Sequence, residues 1–567
     1  MRKTKVVLAK VLTAAMVISS FAGVQGITSE AAAKPKLSKK SVSITVGKTK
    51  KITVKNAKKY KVSWKMKSKK IASFKKSGKY AVKVTAKKAG KTTLTATIKK
   101  GKKTKKLVCK ITVKKNSPKV TKTPVNTPTT SPSNVPKTTE VPTVKPTATA
   151  TAEPQDTTPA MKEIFKGVID NVGTCLTYNQ TWNNRKEMQD VSTMEFVDKN
   201  FNSFTLENEM KPDSMLNKHN MISVADAKVK GYVISDDYKE SEVPELTLET
   251  IDGVLAIAKQ HNIRMRAHTL MWHQQTPTWF FKKNYDDNEA IVDEATMNAR
   301  LEFFVRTIMR HTMQKEKELT GEVGSIVYAW DVLNEYIHRS NAAAAATWVS
   351  VYGDMGLKPT YVKAAFEYAY DELKKENVQD KVTLFYNDYD TYFSVDDELA
   401  LISYINEGEE AKICGGIGMQ SHVDIKRPTL EEYGNALKAF INAGLEVQIT
   451  ELDITINFDT DDTDGRTPTY AYKNEKETDA DQAAFTKDFI KQIVDIQKNR
   501  DKTISPKGIT GITVWGISDQ TSWRGSCKPL FFTRKSVRVK DETTGKYKTV
   551  YSYVPKKSYE AMIEALK

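Results

Sequence analysis

The sequence predicts an α/β protein: a closed (β/α)8 barrel over residues 160–567, preceded by a small all-β sandwich over 34–116 and an extended linker over 117–159. Downstream of residue 160, apolar runs alternate with helical patterns about eight times, the rhythm of parallel strands joined by crossover helices. Upstream, short apolar/polar alternations are separated by lysines and glycines, and none is long enough for a helix. Between the two, residues 117–159 hold nine Pro and 13 Thr with almost no large apolar side chain, so they have nothing to bury.

Taken in order, the cationic start from Met1 to Lys5, the apolar stretch Val6 to Val24 and the small residues up to Ala33 read as a secretory signal peptide. Export with removal of residues 1–33 is expected. No later stretch stays apolar for the ~18 residues a bilayer requires, so no membrane span is expected after cleavage. The sandwich is read from Val42, Ile44 and Val46; Ile52 and Val54; Val62 and Trp64; Val82, Val84 and Ala86; Leu94, Ala96 and Ile98; and Cys109, Ile111 and Val113. The linker, at ~3.1 Å per residue, reaches on the order of 130 Å, which lets a tethered domain sweep a volume around its anchor. Barrel strands are expected at 165–172, 203–207, 263–268, 326–330, 382–386, 416–420, 447–450 and 512–516. Ile251, Val254, Leu255 and Ala258 mark the crossover helix before the third strand. Tyr433, Leu437, Phe440 and Ile441, followed by Gly444, mark a helix and its stop before the seventh. Long loops are expected at 228–245, 455–478 and 534–552.

The four cysteines, Cys109, Cys175, Cys414 and Cys527, form no close pair, which excludes a Cys-x-x-Cys redox or metal site. Cys109 shares the alternation of Ile111 and Val113 and reads as a buried small apolar residue. Pairing among the other three stays open. The net charge of +21 divides sharply: residues 34–116 hold 31 Lys and no Asp, Glu or Arg, whereas 161–567 holds 50 basic and 64 acidic residues, a net −14. So many cations without one anion exceed what solubility needs. They point to an anionic cell-wall polymer or acidic polysaccharide as partner rather than nucleic acid. The mature chain is expected to be a secreted monomer, cell-wall associated through this module.

At the mouths of the predicted barrel strands the polar residues are unusual in kind. One strand closes on Asn334 and Glu335, another on Glu451 and Asp453. Carboxylates at the C-terminal ends of barrel strands sit where such folds keep their chemistry. Two of them are the minimum for cleaving a glycosidic bond, provided one has a raised pKa and the other stays ionised. His268 and His273 lie five apart without a His-Glu-x-x-His pattern, so no metal and no cofactor is expected.

The runs Leu206 to Asp213, Arg266 to Gln275, Trp330 to Glu335, Tyr386 to Tyr389, Gly418 to His422, Ile449 to Asp453 and Val514 to Arg524, in this order, resemble glycoside hydrolase family 10, the endo-β-1,4-xylanases, across essentially all of 160–567. The resemblance implies hydrolysis of xylan and xylo-oligosaccharides by a retaining double displacement. Glu335 would be the acid/base and Glu451 the nucleophile, with carboxyl groups about 5 to 5.5 Å apart. It implies supporting roles for Asn334, which can donate to a sugar 2-hydroxyl, for His422, which orients the nucleophile, and for Asp453 in that network. It implies substrate contacts from Glu207, Asn208, Lys211, His268, Trp272, Gln275, Gln420, Trp515 and Trp523 on the glycone side, with Tyr389 nearer the aglycone. Asp390, Val423, Lys528 and the basic insert from Arg534 to Lys540 depart from the family's pattern and are expected to reshape the aglycone subsites.

Residues 34–116 resemble a bacterial immunoglobulin-like domain through Val62 to Trp64, Ile71 to Phe74, Ser77 to Lys79 and Ala86 to Thr97, which implies attachment or spacing and no chemistry. Two alternatives remain open: a barrel that binds polysaccharide at a cell surface without cleaving it, and the same fold acting on β-1,4-glucan. The retained Glu335 and Glu451 speak against the first.

Overall fold

The computed structural model describes residues 35–39, 41–46, 48–57, 60–100, 103–114, 158–180, 185–216, 219–339, 345–457, 477–540 and 547–567. The expected signal peptide, nearly all of the linker and most of the loop expected at 455–478 lie outside the described residues. The chain divides into two compact units, 1–148 and 149–567.

In the first unit, β1 (Lys36–Leu37), β2 (Ser41–Thr45), β3 (Thr49–Lys55), β4 (Lys61–Met66), β5 (Ala72–Lys76), β6 (Ala81–Ala86), β7 (Gly90–Lys100) and β8 (Lys103–Lys114) follow one another without a helix. They form two four-stranded sheets, ordered β1-β3-β6-β5 and β2-β8-β7-β4. Ile52, Val82 and Val84 of one sheet share a core with Val42, Ile44, Leu94, Cys109 and Ile111 of the other. The period-2 alternation sends these side chains inward and the lysines outward. Every lysine of this unit whose side chain is described is exposed.

The second unit contains β9 (Asn171–Leu176), β10 (Ser203–Leu206), β11 (Met221–Ser223), β12 (Glu242–Pro244), β13 (Arg264–Trp272), β14 (Val327–Asn334), β15 (Thr383–Asp388), β16 (Gly416–Met419), β17 (His422–Asp424), β18 (Glu446–Thr455), β19 (Ile509–Val514), β20 (Phe532–Lys540) and β21 (Tyr547–Pro555). Strands β9, β10, β13, β14, β15, β16, β18 and β19 pair in parallel in that order, and β19 returns to β9. Chain order equals barrel order, as successive crossovers require. The helix Leu248–His261 buries Ile251, Val254, Leu255 and Ala258 against the barrel. The helix Leu430–Asn442 opens on a Thr429/Glu432 capping box and buries Tyr433, Leu437, Phe440 and Ile441. Gly444 then turns the chain at φ +71°, a conformation open to glycine at little cost.

Two expected elements differ. The first strand lies at Asn171–Leu176, not 165–172. Phe165 and Ile169 are buried four residues apart because the amides of Val168 and Ile169 bond back to the Phe165 carbonyl, so this apolar run is a helical turn. The long loop expected at 534–552 is instead the antiparallel ribbon β20–β21. All four cysteines are free and buried, which closes the question of pairing among them.

Candidate active site

The barrel mouth is shaped by irregular strand ends. Register breaks fall between His268 and Met271, between Asp331 and Leu333, and between Ile449 and Leu452. Bulges of this kind re-aim a side chain without ending the strand. Strand β18 accordingly runs on to Thr455 instead of stopping at its carboxylates. Glu335, the residue after β14, sits at φ +58°, a left-handed conformation that costs a non-glycine residue about 1–3 kcal/mol.

Glu335 is 8% exposed. Its Oε2 accepts from Trp272 Nε1 at 2.8 Å and Gln274 Nε2 at 3.2 Å, and its Oε1 accepts from Gln420 Nε2 at 2.9 Å. Burial, reinforced by the negative charges of Asp388 and Glu451, pushes its carboxyl up to about 7, against the donors that favour the ionised form.

Glu451 is 6% exposed. Its Oε1 accepts from Asn387 Nδ2 at 3.0 Å and its Oε2 from His422 Nε2 at 3.1 Å. Burial alone would raise this carboxyl, but the His422 hydrogen bond and charge, with His268 and Lys211 behind it, bring it down to about 2. His422 Nδ1 in turn donates to Asp453 Oδ2 at 2.7 Å. Burial disfavours the imidazolium, yet Asp453 holds it up to about 9, so both ring nitrogens donate at neutral pH. Asp453 is fully buried and also accepts from Trp523 Nε1 at 3.0 Å and Arg524 at 3.3 Å.

A chain of side-chain amides joins the two glutamates. Asn334 Oδ1 accepts from Asn387 Nδ2 at 2.9 Å and Gln420 Nε2 at 3.3 Å, while those same groups bond Glu451 and Glu335. With its oxygen occupied twice, Asn334 has its NH2 left for a ligand hydroxyl.

The other residues expected at the site gather around this pair. His268 Nδ1 bonds Asp331 at 2.9 Å, and its ring meets Trp515 edge-on at 6.0 Å. Lys211 Nζ lies 3.4 Å from Asn208 Oδ1 and 4.8 Å above the Trp272 ring. Glu207 accepts from Arg185 at 2.6 Å and Gln180 at 3.0 Å. Trp523 is 45% exposed, with its ring 4.9 Å from His422. Tyr389 stacks on His338 at 4.1 Å. The Gln275 amide donates to Asp213 Oδ2 at 3.4 Å.

Sequence reasoning missed several members. Asn387 bonds Glu451 and Asn334, Gln274 rather than Gln275 reaches Glu335, and Asp331 clamps His268 and Arg266. Asp388 bonds the His338 Nδ1 at 2.9 Å and lies close enough to raise Glu335. Asn387 is placed here by the register Asn334↔Asn387 between β14 and β15, which the sequence does not carry locally.

A carboxyl protonated near neutrality opposite one ionised throughout predicts a lopsided pH profile. With Glu335 as the acid and Glu451 as the nucleophile, the roles expected from the sequence, the rate should fall about tenfold per pH unit above roughly 7, as Glu335 loses its proton, and hold down to acid pH because Glu451 stays charged. A profile of kcat/KM checks this. A fall on the acid side beginning near neutrality would assign the two environments the wrong way round.

Residues 160–551 match the family model described as glycosyl hydrolase family 10. The chain is 40% identical over 352 residues to endo-1,4-beta-xylanase A of Butyrivibrio fibrisolvens, covering 62% of this chain and 76% of the relative. It is 28% identical over 388 residues to endo-1,4-beta-xylanase A of Thermotoga maritima, covering 67% of this chain and 30% of the relative. It therefore spans three quarters of one curated relative and under a third of the other. Among solved structures, the Clostridium thermocellum N-terminal endo-1,4-beta-D-xylanase 10B complexed with xylohexaose aligns with a TM-score of 0.50 at 26% identity, over 72% of this chain and 68% of that one.

Proposed function

The chain belongs to glycosyl hydrolase family 10, and from that premise we propose that it is an endo-1,4-β-xylanase that cuts internal bonds of xylan by a retaining double displacement. The observation that carries this reading is the pair of buried carboxyls held in opposite states, Glu335 near 7 and Glu451 near 2, and bridged by Asn334, Asn387 and Gln420.

Glu335 gives its proton to the glycosidic oxygen as the bond from C1 to that oxygen breaks, and Glu451 forms the new bond to C1. Asn334 donates to the sugar 2-hydroxyl, a contact that tightens as positive charge develops at C1. Once Glu451 is esterified its charge is gone, so Glu335 loses part of what raises its pKa and takes the proton from an incoming water. The imidazolium of His422, fixed by Asp453, keeps Glu451 ionised and oriented before attack and neutralises it again on release. Glu207, Asn208, Lys211, His268, Trp515 and Trp523 hold the glycone, and Trp272 and Gln420 serve both substrate and acid. Tyr389, propped by His338, is the aglycone platform.

Release from the cell through a signal peptide over 1–33, and retention at the wall by the lysine-rich unit, complete the proposal. Outward lysines with no acidic neighbour in sequence favour an anionic polymer. Retention of the full chain on wall or acidic polysaccharide should vanish at high salt.

Incubation with xylan and with β-1,4-glucan tests the reading. Short xylo-oligosaccharides from the first and little from the second are expected. Binding without turnover of either would reduce the barrel to a carbohydrate-binding scaffold.

A further inference from the structure

The ribbon β20–β21 is an element of the barrel unit that the chemistry above leaves unused. Its sequence from Phe532 to Pro555 holds six cations and two acids, in a unit whose net charge is negative. At its base Phe196 packs on Phe532 and Tyr553, with centroids at 4.9 and 4.3 Å, Tyr553 OH bonds Thr193 at 3.0 Å, and the Tyr551 amide donates to Ser192. These partners belong to the helix Val191–Asn200, which follows directly on the Arg185–Glu187–Glu207 cluster. Tyr553 is close enough to Glu187 to feel its charge. The insert expected to reshape the aglycone subsites thus stands on the side of Glu207, a residue expected on the glycone side. Beyond the base the ribbon is uncovered, with Val537 at 61% and Tyr547 at 62% exposure.

Cross-strand register puts Arg534, Ser536 and Arg538 on one face, opposite Tyr553, Tyr551 and Thr549. Arg534 lies 4.6 Å over the Tyr551 ring and Arg538 lies 5.1 Å over the Tyr547 ring. A guanidinium held over a ring gives up little further freedom on binding, and its N–H fork fits a carboxylate. Four residues along a strand place the two forks ~13 Å apart.

We propose that this face is an accessory subsite for uronic-acid substituents on the polysaccharide, engaging the carboxylate of a branch beyond the glycone end of the cleft. It rests on the endo-xylanase reading for its backbone polymer, and on the stacked arginines for its charge preference. The lysine-rich unit is the same in every comparison of the variants below.

The test uses the full chain and its Arg534→Gln/Arg538→Gln double variant, with a linear xylo-oligosaccharide and the same oligosaccharide carrying one glucuronic acid towards its non-reducing end. Affinity by titration and kcat/KM are both measured. The double variant should lose about 3- to 10-fold on the acidic ligand and nothing on the neutral one. The wild-type preference should collapse at 0.5 M salt, where screening shortens to roughly 4 Å. Arg534→Lys/Arg538→Lys should recover part of the loss, because the charge returns without the fork. Equal effects on both ligands, or none on either, would overturn the subsite. If the acidic ligand binds with the expected preference and neither ligand is cleaved, the subsite stands and the xylanase reading falls.

Discussion

Replacing Glu451 with Ala should remove xylan hydrolysis, with a loss of roughly 10⁴-fold or more, because the proposed covalent route closes with its nucleophile. The fold should survive. His422 keeps its 2.7 Å bond to Asp453, so the imidazolium exposed by the truncation remains paired. The space vacated by the carboxylate admits a small anion such as azide. With a substrate bearing a good leaving group, azide should then restore turnover and yield an α-glycosyl azide, since a single displacement inverts the anomeric centre. Chemical denaturation with the wild-type midpoint separates lost chemistry from lost structure. Activity within tenfold of wild type would remove Glu451 from the reaction.

Glu335→Gln separates the two halves of the mechanism. The amide keeps the size of the side chain but has no proton to give, so hydrolysis of xylan should drop by about 10²–10⁴-fold. An aryl xylobioside with a dinitrophenolate leaving group needs no such proton. Its first step should proceed near the wild-type rate, after which the glycosyl-enzyme accumulates because no base activates water. The fall in rate above pH 7 should disappear with the group responsible for it. Persistence of that limb in the variant would mean that another residue titrates there, and His338 beside Asp388 would be the first to examine.

Much of this was legible in the sequence because it was written in period. The alternation of Val82, Val84 and Ala86, and the spacing of Ile251, Val254, Leu255 and Ala258, report burial on one face of a strand or helix, and those residues are buried. Phe165 to Val172 misled because an apolar run without strict alternation reads equally as strand or turn. Glu335 and Glu451 stood out as carboxylates ending apolar runs. Asn387 did not, because within Tyr386 to Tyr389 nothing local distinguishes a side chain aimed at the barrel axis from its neighbour. Its register opposite Asn334 decides that. Arg185 and Gln180 come from a connection with no period, and they reach Glu207 only through tertiary folding. The ribbon falls in a segment expected as loop because about 400 residues exceed a minimal barrel, and its strands carry few apolar residues to show a period. Beyond Phe532 and Tyr553 at its base, the ribbon has no core to cover and does not need an apolar face.

The proposed mechanism requires two successive displacements at one anomeric carbon, the first by Glu451 and the second by a water that Glu335 activates. Proton NMR of the sugar released in the first minutes of xylo-oligosaccharide hydrolysis, before mutarotation, reads this directly. Two successive inversions predict the β-anomer first. If the α-anomer appears first, water rather than Glu451 attacks the substrate, and the roles assigned to Glu451, His422 and Asp453 are wrong.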